Sequence, residues 1–366
     1  MFRIERTDSM CRRQLLEVIN EIQSTNKTIG KEASALWDSL FKPIGGLGLL
    51  ETLIIQIAEI TDTTLVDIRK KAIVVMCSDN GVVAEGVSQT DHQITAMVTE
   101  NMALGKSSVC RMASVSGADV IPVDVGVATK VEVEGLLVHR IANGTKNFRR
   151  EPAMTYEEAI EAIQVGIDVV YQLKKKGYQL LGTGEMGIGN TTTSSAIAAV
   201  LLGVEPGVVT GKGAGLSFEG VERKRKVIEE AIALHCPDAT DPIDVLAKLG
   251  GFDIAGLVGV CLGAALYRLP VVLDGVIASV AALIATRLQP LTREYMIASH
   301  MGKEPASKLL LDELGLKPII YGELALGEGT GVALLLPMLD MAMKVYEMNT
   351  HFTDYKVKAY ERYEER

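Results

Sequence analysis

Short apolar runs rich in β-branched residues recur along this chain, and each ends in glycine or a polar turn. They are AIVVMCSDNG (72–81), DVIPVDVG (119–126), YQLLGTG (178–184), VVLDG (271–275) and KPIIYG (317–322). Helical patterns lie between them, as at residues 156–176 and 221–234. Nearly continuous apolar strands that alternate with helices indicate a parallel sheet covered on both faces. The sequence therefore predicts an α/β fold with a doubly wound, mostly parallel sheet, and ligands bound beyond the carboxyl ends of its strands.

The segment that precedes the first strand, residues 8–65, favours helices. Its apolar residues recur at helical spacing, at Leu15, Val18, Ile19 and Ile22. The pattern breaks at FKPIGGLGLLE, residues 41–51, where a proline and three glycines predict a loop before the next helix begins. At the other end, the residues after Met348 are polar and charged, which is typical of a peripheral helix or a frayed tail.

Composition excludes several classes of protein. The 366 residues suit one large domain or two, and their formal net charge is -9, so no excess of cations is available for general nucleic-acid binding. A small bound anion is still compatible with that charge. The longest uncharged apolar run, residues 254–267, is shorter than the roughly 20 residues of a membrane span. We therefore predict no membrane span and a buried, tightly packed helix at this run.

Cysteine spacing and the N-terminal segment bear on the compartment. The five cysteines are widely spaced and form no CxxC pair: Cys11, Cys77, Cys110, Cys236 and Cys261. We expect reduced thiols and a cytoplasmic protein. The segment MFRIERTDSMCRRQ is polar and has no apolar signal core, so export is not expected. No histidine spacing indicates a metal site, and neither a metal nor a cofactor is predicted.

The stretch LGTGEMGIGNTTTSSAI, residues 181–197, joins a strand to a helix through a glycine-rich turn. Unpaired backbone N–H groups and the positive end of a helix dipole make such a turn an anion site. The stretch has neither the lysine of a P-loop nor the spacing of a dinucleotide fingerprint, so a monophosphate is the predicted ligand. The alternative is a turn that only packs tightly.

Two further glycine-rich stretches can likewise be either part of a binding site or purely structural. TGKGAGLSFEG (210–220) precedes a helix that carries Lys224 in the run ERKRK, which can also be a solvated helix face. In GELALGEGTGVALLLP (322–337), Glu328 stands between Gly327 and Gly329. A substrate can approach a carboxylate flanked by glycines, and partial burial would raise its pKa toward the range of a general base. A glutamate that complements a helix dipole from the first turn is the open alternative.

Several segments occur in an order that resembles one family, the nicotinate-nucleotide–dimethylbenzimidazole phosphoribosyltransferases of cobalamin biosynthesis. The segments are KPIGGLGLLE, SDNGVVAEGVS, GEMGIGNTT, KLGGFDIAGLVG, PVVLDG, ASH and LGEGTG, and they run from about Lys42 to about Tyr346. The resemblance implies a dimeric enzyme of two domains. A small helical domain would comprise residues 1–65 and 340–366, from both chain ends, and the large α/β domain would comprise residues 66–339.

The resemblance also implies a reaction and its catalytic residues. The family transfers 5-phosphoribose from nicotinate mononucleotide to a lower-ligand base, giving an α-riboside 5′-phosphate and nicotinate. Its proton acceptor, the Glu of LGEG, corresponds to Glu328. Its supporting Glu and Lys correspond to Glu185, which would stabilise positive charge on the ribosyl centre, and to Lys224, which would pair with a carboxylate or phosphate.

Binding residues are expected on the same basis. The phosphate and nucleotide are expected at Gly187, Gly189, Asn190, Thr191, Gly211, Gly213, Ser299, His300 and Gly327. The acceptor is expected at Asp79, Asn80, Thr90, Val98, Met186 and Leu326. Two positions depart from members that use dimethylbenzimidazole, because Asn80 stands where these often carry His and Val98 stands where they often carry Gln.

These departures keep the acceptor and the partner open. Dimethylbenzimidazole is the default acceptor, and phenol or p-cresol, used by some relatives within heterodimers, is the alternative. The chain is accordingly expected to form a homodimer or a heterodimer with a paralogue. Two non-catalytic hypotheses remain: a nucleotide-binding subunit that supports an active paralogue, and a sensor or carrier of phosphorylated nucleotides.

Overall fold

A six-stranded parallel sheet forms the centre of the computed structural model, which describes residues 10–347 and 350–361. The strands are β1 (Lys71–Ser78), β2 (Asp119–Gly126), β3 (Leu137–Val138), β4 (Leu180–Met186), β5 (Val271–Leu273) and β6 (Met296–Ala298). Their order is β3-β2-β1-β4-β5-β6, and every neighbouring pair runs parallel. The order reverses direction at β1, as in doubly wound folds.

Helices cover both faces of this sheet. In chain order they are α1 (Arg12–Ile19), α2 (Lys27–Ser39), α3 (Leu49–Thr61), α4 (His92–Ala103), α5 (Ser108–Ser116), α6 (Tyr156–Lys175), α7 (Asn190–Leu202), α8 (Pro206–Val209), α9 (Phe218–His235), α10 (Pro242–Leu249), α11 (Phe252–Leu266), α12 (Val276–Leu288), α13 (Ala306–Leu314) and α14 (Thr330–Tyr346). Short 3-10 helices lie at Gly81–Glu85, Pro290–Tyr295 and Phe352–Tyr355.

The two faces of the sheet bury separate apolar cores. On β1, Val74 and Met76 point into the core shared with α6, α10, α11 and α12. Their neighbours Ile73 and Val75 point into the core shared with α3, α5 and α14. Because successive strand residues face opposite sides, a strand buried on both faces must be apolar throughout. The predicted α/β fold with a parallel sheet is confirmed.

Helix α11 occupies the apolar run predicted to be a buried helix. Its side chains are buried from Phe252 to Ala265. It crosses α6 so closely that a Cβ on Gly259 would lie 1.9 Å from the carbonyl oxygen of Ile163. The glycines of this run therefore permit close helix packing, as predicted. None of the helices in the described part of the chain has the length and apolar character of a membrane span.

The strand prediction is wrong at one end of the sheet. Residues 317–322 form no strand, and Ile320 makes a single isolated bridge with His300. The sixth strand is β6 instead, which the sequence did not indicate because it has only three residues and follows a 3-10 helix. Pro318 lacks the N–H that a ladder requires, and the neighbouring Tyr321 is exposed. The two-residue β3 was also missed.

The helices at the two chain ends lie on different parts of the sheet. α2 and α14 both pack against α3, whereas α1 packs against α6. α14 is continuous across residue 340. The described part of the tail, residues 350–361, contains the short 3-10 helix and an isolated bridge from His351 to Leu40. The division into residues 1–65 with 340–366 and residues 66–339 stays a prediction. The first nine residues, which include most of the polar N-terminal segment, lie outside the described residues.

Candidate active site

A cavity of about 260 Å³ opens where β4, β5 and β6 end. Its walls come from the segments 87–89, 185–191, 212–216, 274–278, 300–307 and 324–330, and from α4. These segments follow the carboxyl ends of the strands, where ligands bind in open α/β sheets. The predicted position of the ligand site therefore coincides with a formed cavity.

Glu328 lines this cavity on a strained turn. The φ angles of Gly327, Glu328 and Gly329 are 82°, 63° and 93°, so three consecutive residues adopt left-handed conformations. For a residue with a side chain this conformation costs about 1–2 kcal/mol. Asp274 holds the turn, because its carboxylate accepts hydrogen bonds from the Gly329 amide at 3.1 Å and the Gly331 amide at 2.8 Å. Such strain is typical of functional sites.

The carboxylate of Glu328 lies at the start of another helix. Its Oε2 accepts a hydrogen bond of 3.4 Å from the Val109 amide in the first turn of α5. Burial raises the pKa of Glu328, the bond from Val109 opposes this, and the charge of Asp274 raises the pKa further. α14 begins only at Thr330, so the interpretation of Glu328 as a first-turn residue of that helix is wrong.

Glu185 stands near the end of β4 and also lines the cavity. Its side chain is buried, and Asn190 Nδ2 donates a hydrogen bond to Glu185 Oε2. Burial raises the pKa of Glu185 well above its usual value, and the charges of Asp253 and Asp274 add to this effect. The cavity thus holds carboxyl groups that are more basic than exposed ones, which suits proton transfer and interaction with a cationic substrate.

The predicted helix start after Gly189 is confirmed. Gly189 caps α7 with a φ of 94°, and a Cβ there would lie 2.7 Å from Val83 Cγ2. The cavity is lined at this point by Gly187, Gly189, Asn190 and Thr191. The first-turn amides of a helix lack partners within the helix and carry its positive dipole end. This wall of the cavity is therefore suited to an anion.

Lys224 is fully buried in α9 and does not line the cavity. Its Nζ donates hydrogen bonds to Thr191 Oγ1 at 2.8 Å and to the Gly211 carbonyl at 3.4 Å. Burial lowers the pKa of Lys224 to about 8, against the opposing charge of Glu304. The solvated-face interpretation is therefore wrong for Lys224, which contacts the first turn of α7 from behind through Thr191.

The remaining predicted residues divide into two groups. Those that line the cavity are Gly213, His300, Gly327, Val98, Met186 and Leu326. Those placed outside its lining are Gly211, Ser299, Asp79, Asn80 and Thr90. Ser299 lies behind His300, whose Nδ1 is 2.9 Å from Ser299 Oγ. Thr90 is exposed on the surface.

Asn80 bonds to the glycine-rich turn from outside the cavity, and Asp79 precedes it in the chain. The carboxylate of Asp79 lies 3.0 Å from His92 Nδ1 and accepts a bond of 2.7 Å from the Ala128 amide. Asn80 Nδ2 donates to the Ile188 carbonyl at 3.3 Å. Both side chains are buried and neither lines the cavity, so the structure does not place them where the acceptor was expected.

Polar residues of this region that were not predicted include Asp253, Glu304 and Gln89, in addition to Asp274. Asp253 accepts a hydrogen bond of 3.0 Å from Asn190 Nδ2, and Glu304 accepts one of 3.0 Å from the Gly213 amide. Gln89 Nε2 donates to the Gly215 carbonyl. Asp253 had a signal in KLGGFDIAG, an aspartate among glycines and apolar residues, whereas nothing in the sequence relates residue 89 or 304 to the loop at 211–216. Within residues 10–347 and 350–361 no cluster of His, Cys, Asp and Glu is arranged to hold a metal.

Comparisons with known proteins agree with this geometry. A family model described as phosphoribosyltransferase matches residues 22–357. The nicotinate-nucleotide–dimethylbenzimidazole phosphoribosyltransferase of Ruminiclostridium cellulolyticum is 46% identical over 94% of this chain and 98% of its own length. That of Alkaliphilus metalliredigens is 47% identical over 90% of this chain and 95% of its own length.

Solved structures give the same result. The crystal structure of CobT from Thermus thermophilus superposes with a TM-score of 0.86 at 36% identity, covering 90% of this chain and 99% of that chain. A second structure, of the nicotinate-nucleotide–dimethylbenzimidazole phosphoribosyltransferase from the same organism, gives 0.84 at 35% identity, covering 91% and 99%. The fold, the cavity and these similarities together show that the chain belongs to the nicotinate-nucleotide–dimethylbenzimidazole phosphoribosyltransferase family.

Proposed function

We propose that this chain is a pentosyltransferase that moves 5-phosphoribose from nicotinate mononucleotide to a cobamide lower-ligand base, by default 5,6-dimethylbenzimidazole. The products are an α-riboside 5′-phosphate and nicotinate. One observation carries the proposal: the start of α7 and the carboxylates of Glu185 and Glu328 line the same cavity. Family membership supplies the identity of the two substrates.

The chemistry of the donor explains why carboxylates line the cavity. In nicotinate mononucleotide the pyridinium nitrogen is cationic, so it leaves with the electron pair of its bond to C1′ and needs no general acid. Positive charge then develops on the ribosyl centre. The buried carboxylate of Glu185, with Asp274 nearby on the same wall, stabilises that charge in a medium of low dielectric.

The acceptor must lose a proton as its new bond to C1′ forms. Glu328 is the proposed base, because its carboxyl group lines the cavity and burial raises its pKa above the usual value of a glutamate. The acceptor nitrogen forms the new bond on the face of C1′ opposite the leaving nicotinate, so the configuration inverts from β to α. Apolar side chains of Val98, Met186 and Leu326 line the same cavity and suit a planar aromatic acceptor.

The 5′-phosphate is proposed to bind at the start of α7. Gly187, Gly189 and Thr191 would supply amides, and the Thr191 hydroxyl, which accepts a bond from Lys224, keeps its own hydrogen for the phosphate. Lys224 would then act through Thr191 and through the positive charge that it places behind the site. Gly213, held by Glu304, lies on the facing loop.

A competition assay tests the function. The purified chain is offered nicotinate mononucleotide with equal concentrations of dimethylbenzimidazole, adenine, phenol and p-cresol, and the products are identified by mass. We expect nicotinate release only in the presence of an acceptor, with the dimethylbenzimidazole riboside phosphate as the main product. A phenolic riboside phosphate as the main product would show that the acceptor is phenol or p-cresol, the alternative suggested by Asn80 and Val98.

The same assay separates the non-catalytic hypotheses. The chain is tested alone and mixed with a paralogue encoded nearby, and mononucleotide binding is measured by calorimetry. Acceptor-dependent turnover by the chain alone supports the proposal. Turnover only in the mixture would indicate a supporting subunit, and binding without turnover in either arm would indicate a sensor or carrier.

A further inference from the structure

A single amide group bridges two buried carboxyl groups behind the cavity. Asn190 Nδ2 donates hydrogen bonds to Glu185 Oε2 and to Asp253 Oδ2, the latter at 3.0 Å. All three side chains are buried, and Asp253 has no exposed surface at all. Glu185 lines the cavity, whereas Asp253 lies behind it in the first turn of α11.

This bridge uses both hydrogens of the Asn190 amide. A primary amide nitrogen carries two N–H groups, and here one is directed at each carboxyl group. None is left for a phosphate in the cavity, so the side chain of Asn190 serves Glu185 rather than the nucleotide. Fixing the amide between two acceptors also fixes the orientation of the Glu185 carboxylate.

The other oxygen of Asp253 faces an unusual space. Among the described residues, Asp253 Oδ1 and Asn80 Oδ1 are both buried and both lack a hydrogen-bond partner. They converge, because each lies 2.4 Å from the position that a Cβ on Gly251 would take. The amide nitrogen of Asn80 is already bonded to the Ile188 carbonyl, so its free oxygen can only accept.

A proton on Asp253 would provide the hydrogen-bond donor that these two facing oxygens lack. A protonated Asp253 Oδ1 can donate into the space beside Gly251, toward Asn80 Oδ1 or a bridging water, which supplies the hydrogen that both oxygens lack. Burial raises the pKa of Asp253 to about 7, although the bond from Asn190 lowers it. The titratable groups that face Asp253 are Glu185, Asp79 and the buried thiol of Cys77.

We propose that Asp253 is a positioning residue for phosphoribosyl transfer: it holds a proton beside Asn80 and, through Asn190, orients Glu185. If Asp253 ionises, Asp253 Oδ1 and Asn80 Oδ1 become two acceptors that repel each other beside Gly251, and this repulsion disturbs the Asn190 bridge that orients Glu185. The active form of the enzyme therefore has a neutral Asp253, and activity falls as the pH rises through the ionisation of Asp253.

The test compares the pH profiles of wild type and Asp253→Asn, because this inference rests on the proposed function. Asparagine mimics the neutral acid: its oxygen can accept from Asn190 and its nitrogen can donate to Asn80 Oδ1. The value of kcat/KM for nicotinate mononucleotide is measured from about pH 5 to about pH 9. We expect wild type to lose activity on the alkaline side and Asp253→Asn to keep at least about half its maximal activity there, with the acid limb unchanged.

Two controls separate this role from simple support of the fold. Asp124→Asn changes another fully buried aspartate, bound by Arg140 outside the cavity, and should keep the wild-type shape of the profile. Asp253→Ala, checked for folding by circular dichroism, should lower kcat at least about 10-fold while KM for the mononucleotide changes less than about threefold.

The outcomes distinguish two kinds of failure. An active wild type whose alkaline limb persists in Asp253→Asn would overturn the role of Asp253 alone. An Asp253→Asn variant as inactive as a folded Asp253→Ala variant would overturn it too, because neutrality would then not suffice. A wild type with no acceptor-dependent nicotinate release, alone or with a paralogue, would contradict the proposed function and this role together.

Discussion

Glu328 combines a left-handed backbone, a raised pKa and a place in the cavity wall. The glycines on either side of Glu328 predicted that a substrate can approach its carboxylate. The left-handed backbone at this position is one that a glutamate rarely adopts. Lys224 was harder to interpret, because ERKRK is typical of a solvated face. The spacing of apolar residues in α9, however, does indicate that Lys224 is buried, because it shares a helix face with Gly220, Val227 and Ile228.

The buried Lys224 makes stability depend on pH in a defined direction. Its pKa falls from 10.5 to about 8 on folding, so between these values the unfolded chain binds more protons and stability rises with pH. We expect the free energy of unfolding of wild type to rise relative to that of Lys224→Met by roughly 3 kcal/mol across this range. Urea unfolding of both proteins at several pH values measures the difference, and a pH-independent difference would contradict the burial of a charged lysine.

Among the elements, α7 and its glycine-rich entry were the most predictable. The sequence GIGNTTT after an apolar run indicates a strand, a turn and a helix start, and β4 and α7 are found there. The failures were local. β6 and β3 are too short to show a periodic pattern, and residues 317–322 have strand-like composition but lie beyond the sheet edge. Short strands form because neighbouring strands offer ladder partners, which a single sequence does not display.

The start of α7 can be tested with two glycines of one helix. Gly189 and Gly203 flank α7, and both have positive φ. A Cβ on Gly189 would lie 2.7 Å from Val83 Cγ2, whereas a Cβ on Gly203 would have no atom within 4 Å. We expect Gly189→Ala to raise KM for nicotinate mononucleotide at least about 10-fold, because the clash displaces the phosphate-binding amides. Gly203→Ala should cost about 1 kcal/mol of stability and leave KM within about twofold. Equal KM values for both variants would place the phosphate elsewhere.

For the molecule as a whole, the apolar pattern on both faces of the strands was sufficient to predict the α/β fold. The convergence of distant acids was not predictable from the sequence. Glu185, Asp253, Asp274 and Glu328 come from four segments, and only the register of β4 and β5 and the crossing of α11 bring them together. Neither the domain division nor the dimer follows from one chain.

The assembly is a prediction for the purified chain. We expect sedimentation analysis to show a homodimer, and the dimer peak to release nicotinate in the presence of dimethylbenzimidazole without any added subunit. An inactive monomer that becomes active on mixing with a paralogue would show instead that the chain acts in a heterodimer.

The most direct test concerns the proton acceptor. Glu328→Gln keeps the shape of the side chain and removes its basicity, and Glu323→Gln is a matched control: another glutamate with positive φ in the same segment, exposed outside the cavity. Steady-state rates of riboside phosphate formation from nicotinate mononucleotide and dimethylbenzimidazole are measured for both. We expect Glu328→Gln to lose at least about 100-fold in kcat with KM for the mononucleotide within about threefold, and Glu323→Gln to match wild type. A Glu328→Gln variant that turns over at the wild-type rate would show that another group removes the proton.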